Sequence, residues 1–416
     1  MSVSTTHNLA IDGRRLWDAI HETARFGGTA KGGVKRLTLS DEDREVRDWF
    51  RNACEALGCA VAVDDMGVMY ARRPGKRDDL PPIALGSHLD TQPTGGKFDG
   101  VLGVLAGLEA LRTLHDAGYE TNAPIELVNW TNEEGARFAP AMLASGVFAG
   151  AIEPDFALSR EDRAGATFGA ELERIGYRGD ERCGARKFSA FFELHIEQGP
   201  ILEAEDKTIG VVTGVQGIRW YEVTLTGQEA HTGSTPMNLR RNALIGAARL
   251  IEAVDAIARA HAPGVGTVGL IESKPNSRNV IPGEVFFTVD FRHPDDAVLD
   301  EMERVFFATV ESVTSELTLE ADARRDWMSA PVVFDEECVA SVREAAAASG
   351  LGWREIVSGP GHDAAYVARA APTSMIFVPC KDGISHNEAE SATEEHCAAG
   401  AQALLDAALI YDRRFG

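Results

Sequence analysis

Apolar positions in the first half of the chain alternate between helical and strand-like spacing. Residues 39–58 carry Val46, Phe50 and Cys54 on one face at helical intervals, and Ser40 is a candidate N-cap for this stretch. Residues 59–72 are rich in valine and predict a strand. The pattern therefore predicts an amphipathic helix followed by a strand.

Two short runs of continuous apolar residues predict buried strands. One lies in residues 81–91, "PPIALGSHLDT", and the other in residues 123–135, "APIELVNWTNEEG". Residues 101–118, between them, have the length and composition of a helix. Continuous apolar strands joined by helices are typical of a parallel sheet that is covered on both faces, so we expect an α/β fold.

A different pattern starts near residue 215. Residues 217–233 alternate like a half-exposed strand, and two long amphipathic helices and further strands follow. The predicted order, β-α-β-β-α-β, describes a small two-layer domain of the ferredoxin-like kind. Helix–strand alternation resumes after about residue 330. We therefore predict a discontinuous larger domain, residues 1–214 and 330–416, with residues 215–329 inserted into it.

The acidic composition excludes some classes of partner. The chain has 416 residues and a formal net charge of −23, whereas nucleic acid and anionic membrane surfaces require a basic footprint. We therefore expect no nucleic acid or membrane partner. The six cysteines are scattered without a CxxC pair, as expected of reduced thiols. Because there is no apolar leader and no run of 18 apolar residues, the expected location is the cytoplasm.

Polar side chains with metal-binding chemistry follow four of the apolar runs. The carboxyl ends of parallel strands meet at one edge, which is where α/β sheets build their sites. Several carboxyl groups buried together would repel one another and take up protons unless a cation compensates them. Imidazole and carboxylate groups are ligands for Zn, Mn, Co or Ni. The residues are His88, Asp90, Glu133, Glu134, His195 and His386.

Each of these residues also has a structural interpretation when it is taken alone. A His-x-Asp pair after a strand is often a hydrogen-bonded loop, and paired glutamates at a helix start complement the helix dipole. A single histidine after a strand is commonly satisfied by the backbone. The functional hypothesis therefore depends on the four strand ends meeting at one edge.

Seven segments extend this pattern over nearly the whole chain. In chain order they are "GSHLDTQPTGGKFDG", "NEEGARF", "ELHIEQGP", "GQEAHTGSTPM", "PNSRNVIPGEVFFTVDFRH", "SGPGHDA" and "ISHNEAE". Together they resemble the hydantoinase/carbamoylase family of metal-dependent amidohydrolases, which is related to the di-zinc aminopeptidases. The resemblance implies a mixed, largely parallel sheet with flanking helices, plus an inserted ferredoxin-like lid domain that forms the contact of a homodimer.

The resemblance also implies roles at the predicted sheet edge. Two divalent metal ions (Zn, Mn, Co or Ni) would be bound there, with Asp99 bridging both, and Glu133 would be the general base. Asp90 would orient His88, and His231 would stabilise the oxyanion from the lid of the other subunit. The implied metal ligands are His88, Asp99, Glu134, His195 and His386.

Substrate binding is implied for a further group of residues. Arg292, in "VDFRH", would bind the substrate carboxylate, because a guanidinium can hold a carboxylate with two parallel hydrogen bonds. The alternative is an ion pair with Asp290 or Asp295 on the solvated face of the strand. For His362, contact with substrate and a role in holding its own loop both remain open. The other residues of this group are Gln198, His231, Asn279 and Gly361.

The reaction implied by the resemblance is hydrolysis of the carbamoyl C–N bond of a small ureido acid, an N-carbamoyl amino acid or β-ureidopropionate. The alternatives are hydrolysis of allantoate, and deacylation of N-acyl amino acids or exopeptidase activity. His195 favours the carbamoylase branch, because the peptidase relatives typically have an acidic residue there. A metal-binding protein without activity is a third hypothesis, against which the intact Glu133 and ligand set argue. With no P-loop segment, a nucleotide-binding enzyme is not expected.

Overall fold

The computed structural model describes residues 9–416, which divide into two compact units. The first unit combines the chain up to residue 214 with residues 333–416, and the second is the intervening segment 215–332. The role of the second unit as a lid and dimer contact stays a prediction.

Helices and strands alternate along most of the described chain. The helices are α1 Gly13–Thr23, α2 Asp41–Glu55, α3 Val101–Asp116, α4 Leu143–Phe148, α5 Pro154–Leu158, α6 Phe168–Ile175, α7 Ile201–Ala204, α8 Ala243–Ala260, α9 Asp296–Leu317, α10 Glu336–Ala348, α11 Asp363–Val367 and α12 Glu394–Phe415. The strands are β1 Ala60–Val63, β2 Met69–Arg73, β3 Ile83–His88, β4 Ile125–Trp130, β5 Ala190–Ile196, β6 Ile209–Val215, β7 Gly217–Thr226, β8 Ala230–His231, β9 Val265–Thr267, β10 Ile271–Lys274, β11 Val280–Ile281, β12 Glu284–His293, β13 Glu320–Ser329, β14 Val332–Val333, β15 Trp353–Ser358 and β16 Thr373–Val378.

The first unit is built on a nine-stranded sheet in the order β1-β2-β4-β3-β5-β16-β6-β14, with β15 paired to β6. The four neighbours β4, β3, β5 and β16 run parallel, and β1, β2 and β6 pair antiparallel beside them. All residues of the four parallel strands are buried, as their continuous apolar sequences require. The predicted mixed, largely parallel sheet with flanking helices is confirmed.

Helix α2 shows how local sequence positions an element on this sheet. The Ser40 hydroxyl accepts a hydrogen bond from the backbone N–H of Asp43 (3.2 Å) and caps the first turn. Val46, Phe50 and Cys54 lie on one face of the helix and are fully buried. The predicted amphipathic helix is therefore confirmed.

The strand predicted over residues 59–72 is wrong in one respect, since the structure has a hairpin of β1 and β2 there. Asp64 turns the chain, because its Oδ1 accepts hydrogen bonds from the backbone N–H groups of Met66 and Val68, both at 2.9 Å. Gly67 then adopts φ of +79°, a conformation that glycine favours. An aspartate that binds the backbone two residues ahead is a turn signal, and it overrides the strand propensity of its neighbours.

The second unit has a sheet of antiparallel strands in the order β10-β12-β7-β13, with β9 paired to β12. Alternate residues of β7 and β12, for example Val223 and Phe287, face a core that α8 and α9 cover, and Phe306 of α9 belongs to this core. This order, with β-α-β-β-α-β connectivity, is that of a ferredoxin-like layer.

Two further observations concern the cysteines and the polarity of the helices. All six cysteines are free thiols with buried side chains. In the part of the chain that the structure describes, every helix is too short or too polar to cross a bilayer.

Candidate metal centre

Four neighbouring parallel strands deliver the candidate ligands to one edge of the sheet. His88 is the last residue of β3, and His195 lies one residue before the end of β5. Glu133 and Glu134 follow the end of β4 by a few residues, and His386 lies in the loop after β16. The carboxyl ends of these strands therefore meet as the sequence pattern predicts.

Asp99 stands at the centre of the cluster and divides its two oxygens between different histidines. Its Oδ1 lies 3.2 Å from Nε2 of His195 and 3.7 Å from Nε2 of His88. Its Oδ2 lies 3.4 Å from Nε2 of His386, which is also 3.5 Å from Oε2 of Glu134. Two three-residue groups thus share one carboxylate, with ligand atoms of each group within 4.8 Å of one another.

His88 is oriented by the backbone and by a glycine. Its Nδ1 faces the main-chain carbonyl of Asp90 at 2.9 Å, while its buried Nε2 has no hydrogen-bond partner. A Cβ atom on Gly100 would lie 2.2 Å from this Nε2, so only glycine lets the ring pack here. The bond at Nδ1 places the ring proton there and leaves the Nε2 lone pair directed at the cluster.

The Asp90 carboxylate contacts a different loop from the one expected. Its Oδ1 is 3.9 Å from Nδ1 of His88, whereas its two oxygens accept hydrogen bonds from the backbone N–H groups of Glu133 and Glu134, both at 3.3 Å. The orientation of His88 predicted for Asp90 therefore comes from the Asp90 carbonyl. The Asp90 side chain instead positions the loop that carries the two glutamates.

His195, like His88, is oriented by a backbone carbonyl, and both rings face Oδ1 of Asp99. Its Nδ1 faces the carbonyl of Ile196 at 2.9 Å, and its Nε2 accepts a hydrogen bond from the N–H of Gly100 at 3.0 Å. Burial lowers the pKa of His195, but the hydrogen bond and charge of Asp99 outweigh it and raise the pKa to about 8. Burial likewise lowers the pKa of His88, in this case to about 4.

Glu133 and Glu134 lie in an environment that disfavours their charged forms. Burial raises the pKa of Glu133 well above its usual range, and the carboxylates of Asp363 and Glu134 raise it further. Burial and the Asp99 carboxylate do the same for the pKa of Glu134. Glu133 lies beside the cluster, with its Oε2 3.5 Å from Nε2 of His88, and belongs to neither three-residue group.

These residues fit a pair of divalent metal ions. An unpartnered imidazole nitrogen points at the cluster, and a shared carboxylate stands between two groups of imidazole and carboxylate ligands. Such donors suit Zn, Mn, Co or Ni, and a cation would also relieve the repulsion among the buried carboxyl groups.

Three of the predicted substrate-binding residues lie in the first unit. Nε2 of Gln198 donates to Oδ2 of Asp99 at 2.9 Å and lies 3.3 Å from Nε2 of His386, so Gln198 is brought to the cluster. The ring of His362 packs 4.4 Å from that of His195, and its Nε2 bonds the Ser358 hydroxyl at 3.1 Å. The structure therefore gives His362 a contact that holds its own loop. Gly361 is the residue before His362 in this loop.

The other three belong to the second unit. His231 on β8 pairs with Val280 on β11, which brings His231 next to Asn279 in the strand pairing. Arg292 is on the outward face of β12, and its guanidinium bonds the carboxylate of Asp290, with Nη2 to Oδ2 at 2.9 Å. Within that unit, His231 and Asn279 are neighbours and Arg292 has an acidic partner two residues away.

Three further residues contact the ligands and were missed by sequence reasoning. Nε2 of Gln92 donates to Oε2 of Glu134 at 2.7 Å, and the Ser385 hydroxyl lies 2.8 Å from Oδ2 of Asp99. Oε1 of Glu390 accepts hydrogen bonds from the backbone that carries Asp99. All three are polar residues inside the quoted segments "GSHLDTQPTGGKFDG" and "ISHNEAE", which was the available signal.

Comparison with known proteins decides the family. The profile of the peptidase family M20/M25/M40 matches residues 84–409. The chain belongs to this family. It is 53% identical over 403 residues to an N-carbamoyl-L-amino-acid amidohydrolase of Rhizobium meliloti, with 97% of each chain covered. An allantoate amidohydrolase of Escherichia coli (strain K12) is 35% identical over 397 residues, covering 93% of this chain and 96% of the relative.

Solved structures support the same assignment. An amidase of the hydantoinase/carbamoylase family from Burkholderia multivorans is 57% identical and superposes with a TM-score of 0.95, covering 97% of this chain and 98% of that chain. The resemblance to the hydantoinase/carbamoylase family is therefore confirmed over nearly the whole chain.

Proposed function

We propose that this chain is a metal-dependent amidohydrolase that cleaves the carbamoyl C–N bond of N-carbamoyl-L-amino acids. Water and the ureido group would give the free amino acid, ammonia and carbon dioxide. The observation that carries the proposal is the division of the Asp99 oxygens between two ligand groups, with Glu133 beside them. When bound, two metal ions would supply an activated water and polarise the ureido carbonyl.

The residues of the first unit have distinct tasks in this proposal. Asp99 would be shared by both ions, with His88 and His195 on one side and Glu134 and His386 on the other. Glu133 would accept the proton of the attacking water and pass it to the leaving nitrogen. Its buried position excludes bulk water from that proton.

Substrate recognition would use the six residues that the family resemblance implies. Arg292 would bind the substrate carboxylate, and Gln198 and Asn279 would contact the carboxylate and ureido groups. Gly361 and His362 would line the pocket, and His231 would donate to the oxyanion. We include in the proposal a homodimer formed through the second unit, with His231 acting in the site of the other subunit.

The identity of the acyl group is the point on which the alternatives differ. The relative acting on N-carbamoyl-L-amino acids is 53% identical to this chain, and the one acting on allantoate is 35% identical. This difference favours an N-carbamoyl amino acid as substrate. β-Ureidopropionate shares the carboxylate and ureido groups and belongs to the same proposal, and deacylation of N-acyl amino acids or peptide cleavage would use the same cluster.

The first experiment measures ammonia release from N-carbamoyl-L-amino acids, β-ureidopropionate and allantoate, and amine release from N-acetyl amino acids and dipeptides. The protein is chelated and then assayed with Mn, Co, Ni or Zn restored in turn. Metal-dependent ammonia release from an N-carbamoyl-L-amino acid is expected. Cleavage of acetyl or peptide bonds alone would contradict the proposal and move the chain to the deacylase or peptidase branch.

The second experiment tests whether His231 acts across a dimer. Glu133→Gln and His231→Ala are purified separately and mixed under conditions that exchange subunits. If His231 acts in trans, one site of each mixed dimer combines intact Glu133 with intact His231, and activity returns on mixing. If His231 acts within its own chain, both sites stay defective and mixing restores nothing.

A further inference from the structure

The loop that carries Asp99 is held by a buried glutamate that the proposed reaction does not use. Oε1 of Glu390 accepts hydrogen bonds from the backbone N–H groups of Phe98, at 3.0 Å, and Asp99, at 3.1 Å. Glu390 is only 6% exposed, although it lies about 290 residues further along the chain than these two donors. One carboxylate oxygen thus fixes the backbone of the shared ligand.

A hydroxyl group connects the same glutamate to the side chain of Asp99. Oγ of Ser385 lies 2.8 Å from Oδ2 of Asp99 and 3.1 Å from Oε2 of Glu390. A hydroxyl has one proton to donate, so Ser385 serves one carboxylate while touching both. Through this contact Glu390 also influences the rotation of the Asp99 carboxylate, in addition to fixing the position of its backbone.

The adjacent backbone is shaped to admit Glu390. A Cβ atom on Gly96 would lie 2.0 Å from Oε1 of Glu390 and 2.5 Å from its Cβ. Gly96 is not among the glycines with positive φ, so its lack of a side chain matters for space and not for backbone conformation. The glycine therefore leaves a slot that the Glu390 carboxylate fills.

We propose that Glu390 is a positioning residue that sets how Asp99 divides its oxygens between the two ligand groups. The inference rests on the dinuclear metal site of the proposed function. Because Asp99 is common to both groups, a change in its position would weaken both of them together. Outer contacts of this kind typically contribute about 10–100-fold to metal affinity.

The test is a calorimetric titration of Mn²⁺ into chelated protein. Glu390→Ala removes both acceptor bonds and is expected to weaken binding at both positions by about 10–100-fold. Gly96→Ala should act in the same direction by displacing the carboxylate. Glu390→Gln should stay within about threefold of the unchanged protein, because its amide oxygen accepts both N–H bonds and its NH₂ donates to Ser385.

Asp412 provides a matched control. It is buried, and its two oxygens accept hydrogen bonds from the backbone N–H groups of Asn122 and Ala123, both at 2.8 Å, outside the candidate metal centre. Asp412→Ala should lower the melting temperature without changing Mn²⁺ affinity. Equal losses of affinity in Asp412→Ala and Glu390→Ala would overturn the proposal, because the effect would then be one of general stability.

The remaining outcomes separate this inference from the function on which it rests. Failure of the unchanged protein to bind two equivalents of Mn²⁺ would remove the metal site itself. Two equivalents bound with unaltered affinity in Glu390→Ala would overturn the positioning role alone. If Glu390→Ala does not fold, Ser385→Ala removes only the bridging hydroxyl and is expected to weaken Mn²⁺ binding by about tenfold, and unchanged affinity would overturn the proposal.

Discussion

Two sets of buried carboxylates in the first unit are compensated in different ways. The Asp43 carboxylate is paired with Arg47 at 2.9 Å, and the Glu109 carboxylate with Arg15 at 2.7 Å, and both acidic side chains are fully buried. Arginine supplies a permanent positive charge and several hydrogen-bond donors, so the charge of each of these carboxylates is compensated within the fold.

In the described part of the first unit, the carboxylates of the metal centre have no such cation. Among the described residues of the first unit, Asp99, Glu133 and Glu134 form their ion-pair contacts with histidines, which carry charge only when protonated. The pKa of Glu133 and that of Glu134 are raised as a consequence of this burial. The difference separates buried acids with an arginine partner from those that the proposed metal ions would compensate.

The largest expected effect is the loss of turnover in Glu133→Gln. Removing the proton acceptor should lower kcat by about 10²–10⁴-fold, while Mn²⁺ affinity stays within about threefold because Glu133 is not a ligand. Glu109→Gln, at a buried glutamate paired with arginine, is the control and should retain turnover. Steady-state kinetics and metal titration check both variants, and residual activity above a tenth of the original would remove Glu133 from the base role.

The next effect concerns the arginine-paired set. Arg15→Met leaves buried Glu109 with the longer contact to Arg112 at 3.9 Å and should lower the free energy of unfolding by on the order of 3 kcal/mol. Saturating Mn²⁺ should stabilise this variant and the unchanged protein alike and leave the difference between them, because this carboxylate is not part of the metal centre. Arg77→Met is the control, since the exposed Arg77–Asp79 pair contributes little. Urea unfolding measures this difference with and without Mn²⁺. If Mn²⁺ removed the difference between Arg15→Met and the unchanged protein, the distinction between the two sets of carboxylates would be contradicted.

Arg292 pairs with Asp290, which belongs to neither set of carboxylates. Substitution of Arg292 should weaken substrate binding while leaving the free energy of unfolding nearly unchanged. Its pair with Asp290 is about 30% exposed on both sides, so Arg292→Ala should change the free energy of unfolding by less than about 1 kcal/mol. Loss of a charged hydrogen-bonding partner should raise KM for an N-carbamoyl amino acid by about 10–100-fold. The amide analogue of the same substrate is the control, and an equal rise in its KM would contradict the anchoring role.

The smallest expected effect is a pH-dependent gap in melting temperature between metal-loaded and chelated protein. The raised pKa values of Glu133 and Glu134 mean that their protonated forms stabilise the chelated fold below the unfolded pKa of about 4.5, and this contribution is lost as the pH rises. The contribution of His195, whose pKa is about 8, is complete below about pH 6.5 and is lost as the pH rises through 8.

The gap should therefore widen as the pH rises from about 5 to 8, because bound cations replace the protons that the chelated protein loses. Thermal unfolding at several pH values measures it. Asp99→Ala, which lacks the shared ligand, should show little gap at any pH. A gap that narrows with rising pH would contradict the assignment of these carboxylates to a cation.

The parallel sheet and the ligand-bearing strand ends followed from the sequence alone. Continuous apolar runs before His88, Glu133 and His195 predicted buried parallel strands, and such strands bring their carboxyl ends to one edge whatever their loops do. The seven ordered segments carried the family assignment for the same reason, since each is a local pattern of residues. The Asp64 turn was missed, because the strand propensity around it gave a competing signal.

Only the tertiary structure decided which atom of each residue faces which partner. The carbonyl of Asp90, and not its carboxylate, orients His88, and this depends on the path of the loop after β3. Ser385 and Glu390 reach Asp99 although they lie 286 and 291 residues further along the chain. Such contacts depend on how strands far apart in sequence become neighbours in the sheet, and no local periodicity records that.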